Sequence, residues 1–142
     1  MNERPRTGFE LTEKKSAVTL HAWGKDLNQL FATAAEGLFA VIIDPQTVNP
    51  ADARVVELNA STQEALLVEW LTILNDLHQI KHEVYSRFTV TVKGSGLEAQ
   101  VRGEHLDHIR HQVIREVTGI TWKGTKLEKG ENGFDADLKL DI

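Results

Sequence analysis

Apolar and polar positions along this chain repeat with two different periods, and the changes of period mark out its elements. Over Phe9–Thr12 and Ala17–Trp23 the period is two, with Val18, Leu20 and Ala22 on one face, so both stretches are predicted strands. Gly24 breaks the second. From Asp26 onward Leu27, Leu30, Phe31, Ala34, Leu38 and Val41 recur at three- and four-residue spacing, an amphipathic helix that the Asp26 carboxylate can cap by accepting free backbone N–H groups. Asp44-Pro45 ends it, because proline disfavours helical backbone in the residue before it. A loop through Asn49-Pro50 leads to a strand over Arg54–Ala60. Ser61 and Glu64 have the spacing of a capping box, and the helix they open runs from Gln63 to Lys81. Leu67, Trp70, Leu71, Leu74 and Leu77 form its apolar stripe. Leu66 and Ile73 widen that stripe, as in a helix covered on more than one side.

Beyond Lys81 the period returns to two. Phe88, Val90 and Val92 alternate, Gly94-Ser95-Gly96 turns, and Leu97, Ala99 and Val101 alternate back, a hairpin signal. Val117–Trp122 reads as a further strand, Gly130–Gly133 as a turn, and Phe134, Ala136, Leu138, Leu140 and Ile142 as the last strand. The order β-β-α-β-α-β-β-β-β, with strands segregated after the second helix, predicts an α+β fold and not a parallel doubly wound one. We expect a single two-layer domain, two helices packed on β-sheet, over 9–142, behind a flexible tail over 1–8.

Composition narrows the chemistry. The 142 residues are 41% hydrophobic and 26% charged, as in an ordinary globular domain. Cysteine is absent, which removes disulfides, thiolate metal sites and thiol nucleophiles. No apolar run approaches the roughly 20 residues that span a bilayer. MNERPRTGFE has no apolar stretch behind its basic residues, so no secretory signal and a cytoplasmic location are expected. The net charge is −5, from 21 acidic and 16 basic residues, and Lys and Arg are scattered. Tight nucleic-acid binding needs a basic face to meet phosphates, so a protein partner is the better expectation.

Two groups could carry chemistry. Asp135, Asp137, Lys139 and Asp141 share the polar face of the last strand, with the Ile142 carboxylate beside Asp141, and hard cations prefer such oxygen donors. Spacing alone favours a solvated strand face. His105, His108 and His111 suggest zinc, but neither a helix nor a strand brings all three together, so surface histidines are expected. His78 and His82, at the end of the second helix, read as capping groups. No P-loop, dinucleotide fingerprint or nucleophile elbow occurs, Tyr85 is the only tyrosine, and no acid–base pair stands out.

Three stretches together resemble the archease family. Ala22–Asp44 (AWGKDLNQLFATAAEGLFAVIID) is similar to that family's strand–glycine–helix with its terminal aspartate. Leu66–His78 (LLVEWLTILNDLH) resembles its "LLxxWLxxLL" helix. The C-terminal half matches in order, through GEHLDHIRH from Gly103, VTGITW from Val117, and the closing LKLDI. The resemblance implies a small α+β protein that assists a GTP-dependent tRNA-splicing RNA ligase, promoting its guanylylation and repeated turnover without being a ligase itself. It further implies a Ca²⁺ or Mg²⁺ site shared between the aspartate of an N-terminal His-Thr-Ala-Asp motif and the aspartate near the C-terminus, here Asp141 with Ile142.

This chain departs from that pattern at the polar positions. Lys14 stands where the family has histidine and Ala17 where it has aspartate, and the Val-Lys-Ala-Val-Thr-Tyr-His segment reads Val117–Lys123 as VTGITWK. Exchanging a carboxylate for a methyl, with an ammonium nearby, weakens or abolishes a hard-cation site. Lys14 could instead pair with Asp141 where the cation would lie. Contact with the ligase is expected through Asp44, Glu104, His111 and Lys14 together with Asp141. The alternative expectation is a repurposed interaction module that neither binds metal nor activates a ligase.

Overall fold

The structure is a computed structural model that describes residues 5–142. Among these residues the expected order of elements is present: β1 (Gly8–Lys14), β2 (Ala17–Gly24), α1 (Leu27–Ile42), β3 (Asp52–Asn59), α2 (Gln63–Lys81), β4 (Glu83–Lys93), β5 (Gly96–His105), β6 (Gly119–Gly130) and β7 (Gly133–Asp141), with one 3-10 turn over Pro45–Thr47. The strands form two antiparallel sheets, ordered β1-β2-β7-β6 and β3-β5-β4. Helix α1 spans both, lying against β2 of the first sheet and β4 of the second, while α2 lies against β6.

The apolar alternation is what closes this arrangement. Leu20 and Ala22 of β2 and Ala136, Leu138 and Leu140 of β7 turn inward and are buried under α1, whose own stripe of Leu30, Phe31, Ala34 and Leu38 is fully buried. At Gly37 a Cβ would come within 2.4 Å of Leu20 Cδ1, so glycine sets how closely α1 approaches the sheet. The Asp26 carboxylate caps α1 by accepting the Gln29 N–H at 2.8 Å. Trp70 of α2 is buried, and its indole N–H donates to the Phe31 carbonyl at 2.9 Å, joining the two helices at a polar point inside the core.

Local details differ from expectation for identifiable reasons. The cap of α2 is Thr62, whose hydroxyl accepts from Ala65 N at 3.1 Å; Ser61 does not cap it. The strand expected over 117–122 begins instead at Gly119. Val117 is drawn out of the sheet and buried beneath α2, where Asn75 and Gln79 donate to its carbonyl at 2.7 and 2.6 Å. Of the tail expected over 1–8, residues 1–4 lie outside the described residues. Pro5 accepts the Trp23 indole N–H at 2.8 Å, and strand pairing begins at Gly8.

Candidate functional site

The outer face of the β1-β2-β7-β6 sheet is polar, and the register sorts it into rows. One row runs Lys14, Ala17, Asp141, Gly119; the next Thr12, Thr19, Lys139, Thr121; the third Glu10, His21, Asp137, Lys126. These side chains are half-buried or exposed, opposite the inward apolar set, because successive residues of a strand face opposite ways. The four acidic and basic residues read from the last strand therefore do share one face.

Asp141 is held from several directions. The Thr121 hydroxyl donates to its Oδ2 at 2.8 Å, and its carbonyl accepts from Thr118 N at 2.7 Å. Ile142 N donates to the Ser16 carbonyl at 2.9 Å, fixing the end of β7 against the β1–β2 hairpin. Ala17 stands directly across from Asp141, and Lys14 across from Ala17. Among the described residues no ion pair joins Lys14 to Asp141. Two rows along, His21 lies between two aspartates, with Nδ1 2.5 Å from Asp137 Oδ1 and Nε2 3.1 Å from Asp135 Oδ2. His21 belongs to none of the motifs in the sequence. The signal was present in the alternation, since His21 and the odd-numbered aspartates of β7 point to the same face.

A Ca²⁺ ion takes about six to eight oxygen ligands, and Mg²⁺ requires an octahedron of them. Across from Asp141 there is a methyl group on one side and glycine on the other, with an ammonium-bearing residue beyond the methyl. Among the described residues no three His, Asp or Glu side chains gather as a metal site. The donors present do not fit the cation that the resemblance implies.

The other expected contact residues form a second group, around the 3-10 turn. Asp44 is exposed and caps that turn, accepting from Gln46 N at 3.0 Å. Glu104 accepts from Asn49 N at 2.6 Å and from His111 Nε2 at 3.0 Å, and it is ion-paired with Arg110. Burial raises the Glu104 carboxyl, but the Asn49 N–H, Arg110 and His111 outweigh it, leaving its pKa below the ordinary value. His111 is not the surface histidine expected from its spacing: it is buried, with only 3% exposed. The Asp107 N–H donates to its Nδ1 at 2.9 Å, so the proton of the neutral ring is on Nε2, shared between Glu104 and the Thr47 carbonyl at 3.1 Å. Glu104 and His111 thereby lock the 104–111 segment onto the 3-10 turn. No hydrogen bond or ion pair among the described residues links this group to Lys14 and Asp141; the 111–118 segment runs between them.

His78 is likewise buried and does more than cap a helix. Its Nδ1 donates to the Glu83 carbonyl at 3.1 Å, and its Nε2 lies 3.3 Å from Glu116. His82 does end α2, in left-handed backbone with φ 56°. Both line an open groove of about 860 Å³ together with Leu106, Ile109 and His111. Elsewhere burial, and then the bond from its hydroxyl to Glu83 at 3.0 Å, pushes the Tyr85 phenol up.

Fold and site together define a small α+β domain of two helices and two antiparallel sheets, with one polar sheet face ending at Asp141. The chain belongs to the archease family: the Archease protein family matches residues 9–142. Protein archease of Thermococcus gammatolerans is 33% identical over 129 residues, covering 88% of this chain and 91% of that one. Protein archease of Pyrococcus abyssi is 33% identical over 139 residues, covering 94% and 98%. The solution structure of Methanobacterium thermoautotrophicum protein 1598 superposes with a TM-score of 0.78 at 27% identity, over 95% of this chain and 99% of that one. A Thermotoga maritima protein described as an archease and possible chaperone shares the fold, with a TM-score of 0.56 at 12% identity over 100% and 98%. No helix among the described residues is long and apolar enough to cross a membrane.

Proposed function

We propose that this chain is an accessory protein of a GTP-dependent tRNA-splicing RNA ligase in the cytoplasm, promoting guanylylation of the ligase and its repeated turnover without catalysing ligation itself. The observation that carries this reading is the family match over 9–142 combined with a retained sheet end, where Asp141 is held by Thr121 and Thr118. A protein partner also accords with the net charge of −5. Asp44 and Lys14, both exposed, contact the ligase directly, while Glu104 and His111 set the shape of the neighbouring surface. The activity does not require a divalent cation at Asp141 in this chain.

The test is multiple-turnover RNA ligation by the ligase of the same organism, with GTP and metal, with and without this protein. Faster turnover is expected. The second reading, an interaction module that has lost the activator role, is favoured by Ala17 standing opposite Asp141. An active ligase that a folded protein leaves unstimulated would decide for it.

A further inference from the structure

This fold buries two of its three tryptophans. Trp23 is 5% exposed and donates to the Pro5 carbonyl, and Trp70 is fully buried and donates to Phe31. Trp122 is 53% exposed, and among the described residues its indole N–H has no hydrogen-bond partner. An indole left half in water forgoes the burial of a large apolar surface, and tryptophan is the residue most enriched where partners bind tightly.

The backbone holds it there. Thr121 pairs with Lys139 and Lys126 with Asp137, so residues 122–125 of β6 stand against Leu138 alone. A bulge of this kind bends a strand and re-aims its side chains. Gly124 has φ +88°, a backbone that favours glycine, and nothing lies within 4 Å of where its Cβ would be. The Thr125 hydroxyl donates to the Thr121 carbonyl at 3.2 Å across the base of the excursion, and the Thr121 hydroxyl donates to Asp141 at 2.8 Å. The base of the bulge is therefore fastened to Asp141. β6 is an edge strand, so among the described residues no neighbouring strand covers it on that side. Lys123 follows Trp122 and Lys126 ends the excursion, both exposed and without an ion pair among the described residues.

We infer that Trp122 is the anchor of this protein's interface, entering an apolar pocket on a protein partner whose rim carries carboxylates opposite Lys123 and Lys126. Asp141 acts through Thr121 as the positioning residue for that anchor. The charges select this occupant. A second copy meeting this one face to face at Trp122 would bring the lysine pair against its own kind, and two cations beside the indole are too few for the run of phosphate contacts on which tight nucleic-acid binding rests. The partner's identity rests on the ligase reading above.

Calorimetric titration of the ligase of the same organism with the full chain tests this, with circular dichroism to verify that each variant is folded. Trp122→Ala weakens binding by about 30-fold, the size of a hot-spot loss, and Trp122→Phe recovers most of it. Lys123→Glu with Lys126→Glu also weakens it, whereas Ile80→Ala, at an exposed isoleucine on α2, does not. Asp141→Asn, whose amide oxygen still accepts from Thr121, binds nearly as wild type, while Asp141→Ala does not. Wild-type affinity in Trp122→Ala overturns the anchor and leaves the ligase reading intact. An Asn variant as weak as the Ala variant overturns the positioning role. A loss seen only with tRNA present, or a wild type that dimerises through Trp122 in sedimentation, overturns the protein-pocket occupant. No complex with the wild type overturns the ligase reading, and this assignment with it.

Discussion

Ala17 and Asp141 face each other across the β2–β7 ladder, a methyl opposite a carboxylate. Directly opposed residues on one face of an antiparallel pair have Cβ atoms about 5 Å apart, close enough for two carboxylates to share a cation and, without one, to repel. Ala17→Asp is expected to lower stability by roughly 0.5–1 kcal/mol in EDTA and to recover it on addition of Ca²⁺ or Mg²⁺. Thermal melts of both proteins with and without the cations check this. A wild type whose midpoint rises with millimolar Ca²⁺ would contradict it.

The Glu104–His111 contact predicts a pH dependence with a definite sign. The Glu104 carboxyl is held below its ordinary pKa in the folded chain, so it contributes stability that is fully present above its unfolded value, about 4.3. That contribution is lost as pH falls through the lower folded value. Glu104→Gln should therefore be less stable than wild type at pH 7, by about 0.5–1 kcal/mol once solvent screening of its exposed bonds is counted, with the gap closing in strong acid. Urea unfolding at pH 7, 5, 4 and 3 measures it; a gap that stayed constant across the series would count against the network.

Both helices could be read closely from the chain, as could the polar face of β7, because they depend on local periodicity and on caps within a few residues. The helix expected over Gln63–Lys81 has those bounds, and Asp26 caps α1. The rest depends on pairings distant in sequence. The division of seven strands into two sheets is set by which strand each one meets, and alternation is the same either way. His111 looks like a surface residue until Thr47 and Glu104 enclose it, and Thr47 lies 64 positions away. The β6 excursion is hidden for a different reason: residues 122–125 interrupt the two-residue period, so alternation alone ends the strand at Trp122.

Gly103 supplies a backbone prediction. A Cβ there would lie 1.8 Å from the Val84 carbonyl oxygen and 2.7 Å from Tyr85 Cα, at the irregularity between Tyr85 and Arg87 in the β4–β5 ladder. Backbone atoms cannot swing aside as a side chain can. Gly103→Ala is expected to cost about 3 kcal/mol or more, in the range of severe core overpacking. Chemical denaturation would show it, and a variant within 1 kcal/mol of wild type would mean that β4 shifts freely, on the scale of an ordinary surface substitution at about 0.5 kcal/mol.

The proposed accessory role is tested most directly by the guanylylation step itself. Purified ligase from the same organism is mixed with labelled GTP and metal, and the formation of ligase–guanylate is followed with and without this protein. A faster rate, retained in Asp141→Asn and reduced in Trp122→Ala, is the predicted result. An unchanged rate, with an active ligase and a folded accessory chain, would contradict it.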